Sequence, residues 1–373
     1  MLMLPRADLG ARLRTIRLFF AMAGIGISVW AITVPYTKIR FGLDDGTLGL
    51  MLLAGGSGGI ACMPAAGWAV ARYGSRAVLL AVGVLFGVLL PVLSLVPSPA
   101  DFTIMLFLYG GLFGALDVAM NAQAAVIERQ SGRLQMSGFH ACYSIGSLGV
   151  ALASFVLLKL GCSYAAVAVI DAAVILLILT QIGFLAPRAE DAPPAGPRFA
   201  WPDRAAFVLG LCCFTCFMTE GAATDWSTIF LRFSRGMPIA TAALGYAAFA
   251  VAMAVTRLAG DRVATRLGKA AVMRLGCAAA VAGFGLVIFV PSGIAGIVGF
   301  GLVGFGTGNI APLVLSAAAR VQGVAAVMGM GYAGFLIGPV VIGAVANGLG
   351  LGSALGLDAM LLGGVIFAAR AVV

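Results

Sequence analysis

Arg257-Leu-Ala-Gly-Asp-Arg-Val-Ala-Thr-Arg-Leu-Gly-Lys269 gathers four positive charges and one negative into thirteen residues of a 373-residue chain that is 62% hydrophobic. Apolar runs flank it at 237–256 and 271–291. A short basic stretch between two such runs reads as a tight turn on the cytoplasmic side of a membrane. It has an echo in Gly67-Trp-Ala-Val-Ala-Arg-Tyr-Gly-Ser-Arg76, also set between apolar runs. Arg72-Tyr-Gly74 aligns with Arg266-Leu-Gly268 at an offset of 194 residues, close to half the chain. A charged turn repeated half a chain apart is the mark of a duplicated membrane architecture.

Composition agrees. Only 10% of residues are charged and the mean hydropathy is +1.09, whereas soluble domains carry about 25% charged residues. A span needs about 20 apolar residues, and twelve can be drawn: 15–37, 47–71, 76–97, 102–128, 136–159, 163–186, 204–232, 239–258, 270–291, 293–319, 324–348 and 353–371. The expected fold is therefore an all-α membrane protein of 12 transmembrane helices in two six-helix parallel repeats. Residues 1–186 form the N-terminal half, 187–203 a cytoplasmic linker rich in proline, and 204–373 the C-terminal half. Arg6, Arg12, Arg14 and Arg17 precede the run from Leu18 to Pro35, which lacks a small-residue cleavage site and reads as the first span rather than a leader. Turn chemistry supports the division: Asp44-Asp45-Gly46 caps the second helix, Ser98 and Asp101 the fourth, and Pro291-Ser-Gly293 opens the tenth.

Loop charges alternate. Eighteen Lys or Arg fall on the side of the N-terminus and five on the other, which puts both termini in the cytoplasm. That rule accounts for the net charge of +9. No basic run with interleaved aromatics tracks a nucleic-acid strand. The seven cysteines lie almost entirely in apolar runs and read as small buried hydrophobes. With a single histidine they predict no metal site and no cofactor.

The chain resembles the major facilitator superfamily of permeases over nearly its full length. Gly67, Arg72, Gly74 and Arg76 fit that family's signature between helices two and three, Gly-x-x-x-Asp-Arg-x-Gly-Arg-Arg, but Ala71 stands at its acidic position. The resemblance implies a cytoplasmic gate at these residues and at Arg257, Asp261, Arg262 and Arg266 of the second copy, with Asp261 partly replacing the lost acid. Leu116-Asp117-Val-Ala-Met-Asn121 and Glu220-Gly-Ala-Ala-Thr-Asp225-Trp226 are similar to a bacterial, sugar-permease-like branch. The family implies a monomer in a bacterial inner membrane.

Ionisable groups inside a bilayer cost at least about 2.5–3.5 kcal/mol each and so need a local reason. Asp117, Glu220, Asp225 and His140 are the proton-coupling candidates. Asp117, Asn121 and Glu128 fall on one helical face. Glu220 and Asp225 do not, unless the helix breaks at Gly221. Trp30, Tyr36, Asn121, Gln123, Tyr143, Trp226, Asn309 and Tyr332 are expected to line a solute cavity, and Pro312 and Pro339 to kink their helices. Asp171 and Asp358 read as structural. The function these features imply is secondary active transport by alternating access, coupled to protons, of a small sugar-like solute. Proton-driven efflux of amphipathic compounds and a non-transporting receptor on the same fold are the alternatives. No Gly-x-Ser-x-Gly elbow, paired-His motif or phosphate loop points to an enzyme or an ATP-driven pump.

Overall fold

The computed structural model describes residues 6–131, 135–190, 203–320 and 324–372. Most of the linker expected at 187–203, including 191–202, lies outside them, as does the side chain of Asp261. Twelve helical stretches among the described residues are long and apolar enough to cross a membrane, and none of these residues is in a strand. The physical reason is the same for each: in lipid every backbone polar group must be satisfied within its own segment, and a helix does this.

The chain packs as two compact units. The first holds Met1–Thr33 and Ala54–Ala195. It contains most of α1 (Arg6–Phe41) and α2 (Asp45–Tyr73), with α3 (Ser75–Leu95), α4 (Pro99–Ser131), α5 (Met136–Lys159) and α6 (Tyr164–Leu179). Small residues let its backbones approach closely, as is usual where no hydrophobic effect drives helix pairing. A Cβ on Gly110 of α4 would strike the Gly55 carbonyl of α2, and one on Gly146 of α5 the Ala21 carbonyl of α1. The segment after α6 is strapped to this unit by polar groups. Buried Gln123 donates to Ser75 Oγ and to the Ala186 carbonyl, both at 2.8 Å, and accepts from the Ala186 amide at 3.1 Å. Glu190, in a short 3₁₀ turn, accepts from Arg12 of α1, with one bond at 3.2 Å, and from Gln130 of α4. The hydrogen bonds from Arg12 hold the Glu190 carboxyl below its ordinary range, against the opposing effect of burial.

The second unit holds Val34–Leu53 and Gly196–Val373. Its helices are α7 (Arg204–Ile229), α8 (Ile239–Ala242), α9 (Leu244–Leu267), α10 (Lys269–Phe289), α11 (Gly293–Thr307), α12 (Ile310–Arg320), α13 (Val324–Leu349) and α14 (Leu351–Ala368). The tip of the α1–α2 hairpin joins this unit through Gly49 and Gly343, each too close to the other's helix to carry a side chain freely. In the tip, Lys38 pairs with Asp45 and lies 5.5 Å over the Phe233 ring. α10 and α11 meet at Gly283 and Gly299, where a Cβ on either would strike the other's carbonyl oxygen.

The caps read from sequence form. Asp44 accepts from the Thr47 amide at 2.8 Å, Ser98 from that of Asp101 at 3.1 Å, and Ser292 from that of Ala295 at 3.4 Å. The two repeat turns share one backbone shape, with Gly74 at φ +91° and ψ 147° and Gly268 at φ +81° and ψ 147°. Side chains avoid this region, so glycine is required at both.

Two expectations need correcting. The stretch from Arg257 to Lys269 is not a short loop. α9 continues to Leu267 and the turn is Gly268 alone. Arg257 therefore stands ten residues before the helix end, about 15 Å along the axis at 1.5 Å per residue. Conversely, the tenth span, drawn as one helix, divides at Gly308–Asn309 into α11 and α12. The break considered at Gly221 does not occur, because α7 runs unbroken to Ile229 and only then relaxes into one π turn, Phe230–Ser234.

Candidate functional site

α7 begins at an Asp203 cap, whose carboxylate accepts from the Ala206 amide at 2.7 Å. Its length after Cys212 is almost wholly buried. Helical spacing lays Cys213, Glu220, Thr224 and Ser227 along one stripe. Glu220 lies sixteen residues in from Arg204, about 24 Å along the axis. There Arg257 of α9 meets it, with Nη2 donating to Glu220 Oε1 at 2.9 Å. Either charge alone would cost about 2.5–3.5 kcal/mol at mid-span. Pairing offsets much of that, though desolvation of both ions keeps the net gain small.

The broken span completes the arrangement. In an unbroken helix the amide of residue 312 would bond the carbonyl of residue 308. Pro312 has no amide hydrogen, so the Gly308 carbonyl is left open, and Arg257 Nε donates to it at 3.2 Å. Cys216, one turn before Glu220 on α7, places its Sγ 3.7 Å from Glu220 Oε1 and 3.9 Å from the Thr307 carbonyl. The Ala311 amide, in the first turn of α12, is bonded toward the same sulfur. Asn309 packs against Gly260, where a Cβ would strike its side-chain oxygen. Three elements thus converge: an acid from α7, a guanidinium from α9, and freed backbone from the α11–α12 break. Arg257 and Glu220 keep 26% and 21% of their side-chain surface exposed, so the pair is reachable rather than sealed.

The other expected residues distribute as follows. In the first unit Asp117 is half-buried, and Asn121 donates to its Oδ1 at 3.0 Å and to its carbonyl at 2.9 Å. Exposed His140 stands edge-on to Phe20, with centroids 5.1 Å apart. Trp30 is buried against Phe102 and Tyr109, and Tyr143 is half-buried, its backbone carbonyl against Gly24. Gln123, expected in the cavity, is instead fully buried in the strap. At the expected gate Gly67 is half-buried and Arg72 exposed, Arg188 lies over Gly74, and Arg76 approaches Gly183. In the second unit Tyr36 is half-buried, Arg262 and Arg266 are exposed, and Tyr332 stands edge-on to Phe217 at 5.8 Å. Trp226 and Asp225 are buried rather than open to a cavity. Arg232 and Arg235 donate to the carbonyls of Met237, Val287 and Ile288.

Sequence reading missed Arg257 as the partner of Glu220, took Cys216 only for a small buried hydrophobe, and gave Gly308 no more than a role in helix packing. Pro312 was the available signal for the last. Asp171 and Asp358, 187 residues apart, occupy the sixth span of each half. Both are buried, each with Oδ2 unpartnered, and Thr219 donates to Asp358 Oδ1 at 3.0 Å. No cluster of metal-ligating side chains occurs among the described residues.

A many-span helical protein that holds a charged pair against a broken span within its apolar region has the build of a membrane transporter. The chain belongs to the Major Facilitator Superfamily, whose sequence profile matches residues 18–339. It is 40% identical over 364 residues to an uncharacterised MFS-type transporter of Yersinia pestis, covering 95% of this chain and 94% of that one. It is 31% identical over 346 residues to the membrane protein MosC of Rhizobium meliloti, covering 90% and 84%. The crystal structure of a mutant nucleoside transporter NupG shares the fold with a TM-score of 0.76 at 15% identity, covering 97% of this chain and 99% of that one.

Proposed function

We propose that this transporter takes up a small hydroxylated solute against its gradient by coupling entry to protons, in a bacterial inner membrane with both termini cytoplasmic. The observation that carries the reading is the Glu220–Arg257 pair, three-quarters buried beside the open Gly308 carbonyl. A carboxylate in that position has two neutralising partners open to it, a proton or Arg257. Exchange between them changes what the site can hold, and this is the differential interaction that coupling demands. Asp117, with Asn121 bonded to it, is the corresponding acid of the first unit and the second coupling candidate. The exposed Arg72, Arg262 and Arg266 beside the repeat turns suit a cytoplasmic gate.

The test is uptake by proteoliposomes under an imposed proton gradient, with radiolabelled sugars, sugar acids and nucleosides as the panel. Gradient-driven accumulation in the wild type should be lost in Glu220→Gln while exchange at equilibrium persists. Asp117→Asn should lower accumulation as well. Unchanged accumulation in Glu220→Gln removes that residue from coupling. Expulsion of cationic dyes in place of uptake assigns the protein to efflux.

A further inference from the structure

We infer that the solute is a small organic anion, a carboxylate or phosphate monoester, and that Arg257 receives its charge when Glu220 takes up a proton. This rests on the proton-coupled reading above and names its substrate class.

Arg257 is held in place but not used up. Its Nε is fixed by the Gly308 carbonyl at 3.2 Å, an oxygen that Pro312, lacking an amide hydrogen, leaves without a helical donor. Glu220 engages a single prong, Nη2, at 2.9 Å. A guanidinium presents a planar fork that matches two oxygens of a carboxylate or phosphate, and 26% of this side chain is exposed to receive them. The Ala311 amide is directed at Cys216 Sγ beside Glu220, so the first turn of α12 brings a second donor to the same place. Among the described residues the groups facing Glu220 are Cys213 and Cys216 on its own helix, Arg257 from α9, and the Thr307 carbonyl and Ala311 amide from the break. From α13, Tyr332 is turned onto Phe217. Arg257 is the one cation among them.

Charge balance then dictates the class of solute. Protonated Glu220 would leave Arg257 an uncompensated cation inside the span region, and breaking such a pair from one side is strongly unfavourable. A neutral sugar cannot repair this. A monoanion can, by taking the place that the Glu220 carboxylate vacated. Proton and anion therefore stabilise each other's binding, and neither is well held alone.

Calorimetric binding to the purified full-length protein tests this, with gluconate, glucose 6-phosphate and glucose as probes at neutral and at mildly acidic pH. At least one of the two anions should bind, with glucose failing to, and which anion binds identifies the charged group as carboxylate or phosphate. Anion affinity should rise up to about tenfold per unit of acidification, the limit for uptake of one proton. Arg257→Gln should weaken anion binding by about 10- to 100-fold, as loss of a charge-assisted bond does, and Arg257→Lys should recover part of it. Glu220→Gln should bind the anion with no dependence on pH. Glucose binding as tightly as gluconate, no binding of either anion, or an unchanged affinity in Arg257→Gln overturns the assignment. Proteoliposome uptake separates this failure from failure of the reading beneath it. Glucose accumulating under a proton gradient without anion binding keeps proton-coupled uptake and removes the anion. An anion that binds through Arg257 but moves independently of the gradient keeps the anion and removes the coupling.

Discussion

Glu220 and Arg257 are 37 residues apart in sequence, and the chain alone gives no means of pairing them. Glu220 was legible as an acid that must have a reason to lie in the membrane. Arg257 was misread, because hydropathy falls at the first charge even where the helix runs on. The residue's true setting depends on a tertiary partner, which propensity and pattern cannot see. If the pair is coupled, Glu220→Ala and Arg257→Ala should each lower the melting temperature in detergent. The double variant should then fall short of their sum by about 1–3 kcal/mol. Additivity within about 0.5 kcal/mol would show that the two side chains do not depend on each other.

Helices were easier to find than their interruptions. Ser98, Asp44 and Ser292 announced caps because a helix start has a local chemistry that one side chain can supply. The α11–α12 break has no change of hydropathy to mark it, and Pro312 is its only local sign. Pro312→Ala returns an amide to the helix that competes for the Gly308 carbonyl. It should raise thermal stability while slowing solute uptake several-fold; faster uptake would contradict the assigned role of the break. Close helix contacts can be tested in a matched pair. Gly283→Leu should force α10 from α11 and cost about 1–3 kcal/mol, the usual range for overpacking, whereas Gly285→Leu, with nothing within 4 Å of its Cβ position, should be tolerated. The strap at Glu190 is pH-dependent with a defined sign. Its carboxyl titrates lower in the folded protein than in the unfolded chain. Its contribution, about 1 kcal/mol, is therefore present above the unfolded carboxylate range and lost as pH falls through the depressed folded value. Glu190→Gln should lower the melting temperature at neutral pH, by an amount that shrinks as pH falls through the depressed folded value; an effect that stays constant with pH would mean the carboxylate charge is irrelevant.

At the scale of the whole chain the sequence was most informative, because the bilayer leaves so few solutions. Length, apolar runs and the recurrence of Gly74 at Gly268 were enough for twelve spans and a duplication. The backbone at those two glycines repeats even where the neighbouring charges differ. What the sequence did not reveal is that Val34–Leu53 packs with the second unit, since Gly49 and Gly343 find each other only in space. Orientation is open to direct test: in a cysteine-free background, exposed Ser234→Cys should react with an impermeant maleimide applied to intact cells, and exposed Thr265→Cys only after permeabilisation. The reverse pattern would invert the proposed topology. The Glu220–Arg257 pair also sets the electrical character of the carrier. Paired, the two side chains sum to zero, and a membrane voltage exerts about 2.3 kcal/mol per 100 mV only on net charge that crosses it. The empty pair presents none, so a potential does no work on it during the return; with proton and anion both bound the sum is again zero, and the pH difference becomes the currency in which this site is driven.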